Sequence, residues 1–150
     1  MYKKIKNISA FLKYIWYNLP WKSLVINLKC YINYKIENPE EKIIKKNIES
    51  EFNNNILTFK DELDSIKITI NKDNIIMIKD NIESRLTFNF IKNKKNDIEY
   101  YIKLINSYLD GQLLTNELII KKDYVNIEYE LWIQDEYIGK YKYELYIKEI

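Results

Sequence analysis

The chain has no histidine, one cysteine (Cys30), one arginine (Arg85) and two glycines (Gly111 and Gly139) among 150 residues. Each absence closes a class of chemistry. Without imidazole there is no Ser-His or Cys-His nucleophile and no histidine metal ligand. Two isolated glycines cannot build a phosphate-cradling loop or a dinucleotide fingerprint. A single cysteine cannot form an intramolecular disulfide, which agrees with a cytoplasmic location. No apolar run is long enough for a transmembrane helix. Lys3, Lys4 and Lys6 resemble the start of a signal peptide, but Lys13 breaks the apolar stretch and no small-residue cleavage site follows. There is no zinc spacing and no nucleophile elbow. The expectation is therefore no catalytic residue, no cofactor and no metal, which moves attention from catalysis to binding.

What is present is 47% hydrophobic and 31% charged, the balance of a globular protein, and the length suits one domain spanning 1–150. Ile, Lys, Asn and Tyr have AT-rich codons, whereas Ala, Gly, Pro and Arg are scarce. The skew points to an AT-rich genome, such as that of a low-GC bacterium, a phage or a large DNA virus. Codon bias does not explain where the 14 tyrosines fall: none lies between Tyr34 and Tyr100, and six lie from Tyr124 to Tyr146. Charge is also segregated behind a net value of +2. Residues 1–36 carry seven lysines and no acid, and residues 96–150 carry eleven acids and six lysines.

Residues 3–18 read as a basic amphipathic helix through Ile5, Ile8, Leu12 and Ile15, ended by Pro20. Residues 24–36 alternate with period two and read as a strand whose buried face includes Cys30 as a small hydrophobe. Asn38-Pro39-Glu40-Glu41 has the composition of a helix start, and Ile44, Ile48 and Phe52 follow at spacing four. Ile56–Phe59 suits a short strand, with a turn at 61–64. Residues 65–92 read as a three-stranded meander. Asn96-Asp97-Ile98-Glu99 resembles a capping box. Ile98, Tyr101, Ile102, Ile105 and Leu109 follow at helical spacing, and Gly111 stands at a C-cap position, which predicts a helix over 97–110. A strand near 113–121 precedes a hairpin of 124–133 and 140–149. Its odd-numbered apolar residues require odd opposite odd, and charge favours Leu131 opposite Tyr141. The expected class is α+β: an antiparallel sheet of about six to eight strands against two or three helices.

The hairpin's other face carries Tyr124, Glu128, Glu130, Trp132, Glu144 and Tyr146, with Asp135, Glu136 and Tyr137 toward its loop. Aromatics among acids suit a protein interface that meets a basic surface. The leading expectation is a small intracellular protein that inhibits or neutralises a partner. A bacterial immunity protein against a toxin fits, as does a phage or viral inhibitor of a defence effector. The alternative is an adaptor that uses residues 1–20, with Tyr14, Trp16, Tyr17 and Trp21 (just beyond them) among lysines, on a membrane surface or nucleic acid. Scarce arginine and an acidic C-terminal third weigh against nucleic acid. Asp61, Glu62 and Asp64, and the pair Asp135 and Glu136, are carboxylate clusters in expected turns, where acids are ordinary.

Overall fold

The computed structural model describes residues 27–149, and among them every regular element is a strand. The twelve are β1 (Asn27–Glu37), β2 (Lys42–Asn53), β3 (Ile56–Asp61), β4 (Asp64–Ile70), β5 (Asn74–Asp80), β6 (Ser84–Ile91), β7 (Lys95–Asp97), β8 (Glu99–Ile102), β9 (Ser107–Leu109), β10 (Gly111–Ile120), β11 (Tyr124–Ile133) and β12 (Glu136–Glu149). They form one antiparallel sheet in the order β7-β10-β11-β12-β1-β2-β3-β4-β5-β6-β8-β9, curled into a half-barrel.

The alternation of apolar residues explains the curl. Cys30, Ile32 and Tyr34 of β1 share the inner face with Phe52, Leu57, Ile68, Ile75 and Phe90 on one side and with Val125, Ile127, Leu145 and Ile147 on the other. Burying that face requires the sheet to roll onto itself. The roll brings β6 toward β10. Lys92 bridges Thr115, and the Phe90 ring lies 5.1 Å from the Tyr129 ring across the interior. Cys30 is fully buried, with its Sγ 3.0 Å from the Ser50 hydroxyl, and burial pushes its thiol pKa up.

Antiparallel order gathers the turns at two ends. The proximal end, where β1 begins, has the turns 54–55, 71–73, 92–94 and 121–123. The distal end has the turns 38–41, 62–63, 81–83, 103–106 and 134–135.

The α+β expectation, with two or three helices and six to eight strands, is overturned by this sheet. The expected helix after Asn38 is β2. Asn38 does cap, its Oδ1 accepting from the Glu40 and Glu41 amides, but it caps the β1–β2 turn. Spacing four is a multiple of two, so Ile48 and Phe52 are equally a strand face. A bulge at Asn47 (φ 56°) leaves Ile44 on the opposite, exposed face. The expected helix over 97–110 is the end of β7 together with β8 and β9. Its aromatic residues favour cross-strand pairing, and the Tyr101 ring packs tilted against that of Tyr108 with centroids 5.0 Å apart. Gly111 is no helix cap. A Cβ there would lie 2.6 Å from Ile98 Cδ1, so glycine lets β10 pass beneath that buried side chain. The expected helix at 3–18 lies outside the described residues. The meander over 65–92 matches β4, β5 and β6.

Candidate functional site

The outer face of β11 and β12 carries the expected binding residues, and the turn between them decides how they sit. Gln134 (φ 50°) and Asp135 (φ 63°) form a tight two-residue turn of the type that matches strand twist. That turn sets Ile133 opposite Glu136, and a bulge then shifts the register between Leu131 and Trp132. Odd faces odd as expected, but the register differs by two residues: Tyr141 lies opposite Tyr129, and Leu131 opposite Gly139. Charge could not choose between the two, because the observed register also sets acids against lysines, Glu128 to Lys142 and Glu130 to Lys140. The bulge turns Tyr137 onto the outer face opposite Trp132, where the two rings meet edge to face at 5.4 Å.

The expected acids fall into two groups. Glu144 is only 8% exposed and belongs to an internal network. Its Oε2 accepts from the Tyr146 hydroxyl at 2.7 Å and from that of Tyr124 at 3.3 Å. Lys142 stands 3.4 Å and Lys35 4.0 Å from its Oε1. Burial alone would raise the Glu144 carboxyl, but the Tyr146 hydroxyl and the two lysines outweigh it and hold the pKa below the ordinary range. In return, the hydrogen bond to Glu144 pushes Tyr146 up to about 12. Burial, and then Glu144, raises Tyr124. Glu128 lies 3.9 Å from Lys142, and Glu130 accepts from Asn116 and from the Tyr137 hydroxyl, each at 3.1 Å. These groups are largely satisfied within the chain.

The hairpin tip is different. Asp135 and Glu136 are exposed and have no ion pair among the described residues, and they adjoin Tyr137 (51% exposed) and the bulged Ile138 (46%). A pocket of about 400 Å³ opens beside them, lined by Trp132, Tyr108, Asp97, Glu99, Asp110 and Asp135. It lies in the seam between β7–β9 and the hairpin, tied by the Gln134 amide donating to the Asp110 carbonyl at 2.8 Å. Lys95 Nζ stands 4.1 Å over the Trp132 ring, a cation–π arrangement. The helix expected over 97–110 had hidden the contribution of Asp97, Glu99, Tyr108 and Asp110. No local signal would have revealed it, because the seam exists only once the sheet curls.

Two further places gather charged side chains. A groove of about 920 Å³ crosses the outer face of β1–β6, with Lys29, Lys60 and Lys67 alternating with Glu49, Glu51 and Asp80. The carboxylates Asp61, Glu62 and Asp64 sit at the β3–β4 turn and are held by Lys45 and Lys79, while the Tyr34 hydroxyl donates to Asp61. Among the described residues no group of three or more acids or cysteines converges as a metal site. Among them, too, no helix is long and apolar enough to cross a membrane.

No protein-family model matches the chain, and no curated protein matches its sequence. Among solved structures it is similar to "Crystal structure of ywiB protein from Bacillus subtilis". The TM-score is 0.49 at 7% identity, covering 81% of this chain and 92% of that one, a likeness too slight to argue from.

Proposed function

We propose that this chain is a binding protein whose hairpin tip engages a basic surface on another protein, and that the effect on that partner is inhibitory. Such an action suits a bacterial immunity protein or a phage or viral anti-defence inhibitor working in the cytoplasm. One observation carries the reading. Trp132 and Tyr137 pack against each other at the tip, beside Asp135 and Glu136, two carboxylates with no ion pair among the described residues. Aromatic anchors supply contact area at low entropic cost, and unneutralised acids add steering and selectivity toward a basic partner. Glu130 and Glu144 serve the same site from behind, Glu130 fixing Tyr137 and Glu144 fixing Tyr124 and Tyr146, while Glu128 pairs with Lys142.

The test is affinity capture from cells that carry the gene, using the wild-type chain and the triple variant Trp132→Ala, Tyr137→Ala, Asp135→Lys. The wild type should retain a partner whose activity falls as the chain is titrated in. The triple variant should lose at least about tenfold in affinity, the scale of one lost hot spot. Equal retention by both proteins, or a bound partner with undiminished activity, counts against the reading.

The alternative, an adaptor for an anionic surface, draws on the proximal end. Every residue of its turns 54–55, 71–73, 92–94 and 121–123 is Asn, Lys or Asp, with Lys72, Lys92, Lys94, Lys121 and Lys122 against Asp73 and Asp123. The lysine-rich segment 1–26 joins the sheet at this end. Salt-dependent binding to anionic vesicles or to an oligonucleotide, lost on deletion of residues 1–20, would favour it.

A further inference from the structure

Three neighbouring distal turns each thrust a large aliphatic side chain into solvent. Leu63 and Ile82 are each 85% exposed and Leu104 is 91% exposed, with Ile105 beside it. The turns belong to the hairpins β3–β4, β5–β6 and β8–β9, which are successive in the sheet. Successive tips are therefore about 10 Å apart, two strand spacings, and the aliphatics form a row. Turn positions favour Gly, Asn, Asp and Ser for conformational reasons, and an exposed Leu or Ile there gains no burial. A row of them is the kind of apolar patch that marks an interaction surface. In the same end's turns Glu62 pairs with Lys45 and Lys103 with Asp80, but Glu40, Glu41, Glu83 and Asp135 have no ion pair among the described residues, so the end stays acidic.

We infer that this distal row is a second docking surface, for a partner protein that offers an apolar groove rimmed by lysine or arginine. The inference rests on the chain being a partner-binding protein, but it uses residues other than Trp132 and Tyr137. Charge complementarity selects the occupant. The carboxylates around the row repel an anionic bilayer. A second copy docking distal end to distal end sets acid against acid. Docking distal to proximal satisfies charge but, among the described residues, leaves the aliphatics facing turns made only of Asn, Lys and Asp, which cannot cover them.

The experiment places a photo-reactive phenylalanine derivative at position 82 or 104 of the full chain, with positions 72 and 122 as proximal controls, in extract of the cells that carry the gene. The companion variant is Leu63→Ser, Ile82→Ser, Leu104→Ser. Because these side chains are exposed, its melting temperature should stay within about 2 °C of wild type. The expected result is cross-linking from 82 and 104, not from 72 or 122, to a protein of basic sequence. Recovery of that protein should fall at least about tenfold in the triple serine variant. Cross-links only to this chain itself overturn the inference, as does flotation with phosphatidylcholine or mixed phosphatidylglycerol vesicles that depends on the three aliphatics. Capture unchanged by the serines while the Trp132, Tyr137, Asp135 variant loses it overturns this inference and leaves the proposed function standing. Capture of no protein by the wild type removes both.

Discussion

The two ends of the half-barrel do the same topological work with different chemistry. At the proximal end neighbouring turns and strand ends are tied mainly by neutral amides, with an ion pair, Lys92 to Glu117 at 3.1 Å. Asn55 Nδ2 donates to Asn71 Oδ1 at 2.9 Å, Asn74 to Asn89 at 3.0 Å, and Asn96 to the Asn89 carbonyl at 3.0 Å. At the distal end the ties are mainly ionic. Lys103 reaches Asp80 at 2.6 Å, Lys45 reaches Glu62 at 3.0 Å, and Arg85 reaches Asp80 at 3.1 Å. Asn81 adds a bond to Asp64 at 2.8 Å. The proximal turn amides of Asn55 and Asn71 thus turn sideways into the fold, whereas Leu63, Ile82 and Leu104 at the distal end turn outward into solvent. The difference sets turn side chains held within the fold against turn side chains exposed to solvent.

The largest expected effect tests the distal seam. Gly111→Ala drives a methyl to 2.6 Å from Ile98, a core residue, and 3.1 Å from Ile133, which packs against the core. Overpacking at a buried contact of this kind costs about 2 kcal/mol. The melting temperature of the described domain should drop by roughly 4–8 °C in a thermal scan. A smaller drop would mean that the seam opens without disturbing the rest of the sheet.

Next in size is a paired substitution, one asparagine from each end. Asn81 Oδ1 accepts from the Glu83 and Ser84 amides while its Nδ2 holds Asp64. Asn71 accepts one side-chain bond, from Asn55. Asn81→Ala should cost about 1.5–2 kcal/mol and Asn71→Ala about 1 kcal/mol or less by denaturant unfolding. Equal costs would remove the contrast in how the two ends are held.

Acid should loosen the distal end first. The hydrogen bond from Lys103, with Arg85 adding to it against some desolvation, holds the Asp80 carboxyl below its ordinary 3.8. A depressed folded pKa means that the stabilisation is full above the unfolded value and is lost as pH falls through the folded one. Amide exchange at Asn81 and Lys103 should therefore quicken, relative to intrinsic rates, as pH drops below about 3.8, whereas exchange at Asn71 should not, because amide side chains do not titrate there. Asp80→Asn should abolish the difference.

Parts of this architecture are readable in the residues and parts are not. Ile66, Ile68 and Ile70, then Leu86, Phe88 and Phe90, alternate cleanly, and β4 and β6 follow from them. Cys30 was readable as a buried hydrophobe for the same reason. Asn38 misled because an oxygen accepting two forward amides looks identical at a helix start and in a hairpin turn. Ile98, Tyr101, Ile102 and Ile105 have helical spacing, yet Ile105 is exposed and Tyr101 pairs across strands, since three short strands at a sheet edge impose no lasting period. Among candidate binding residues, Trp132 and Glu130 were legible from alternation. The placing of Tyr137 was not, because the Leu131/Trp132 bulge depends on how β11 and β12 meet. The acidic seam pocket and the distal aliphatic row are non-local: only the strand order brings Asp97 to Asp135, or Leu63 into line with Leu104.

The smallest expected effect bears most directly on the contrast between the ends. Leu63→Ser, Ile82→Ser and Leu104→Ser each remove a side chain that is at least 85% exposed. Little apolar area returns to water on unfolding, so each should change stability by no more than about 0.5 kcal/mol. The reciprocal change at the proximal end, Asn55→Leu, should cost about 1 kcal/mol, because it removes the donor to Asn71 and leaves that amide oxygen unpaired. Four melting curves decide the matter. If the three serine variants cost as much as the leucine variant, the aliphatic row serves folding, and its exposure has another cause. If they cost nothing, Leu63, Ile82 and Leu104 have no task inside the folded chain, and their presence in three successive turns is explained by what they touch outside it.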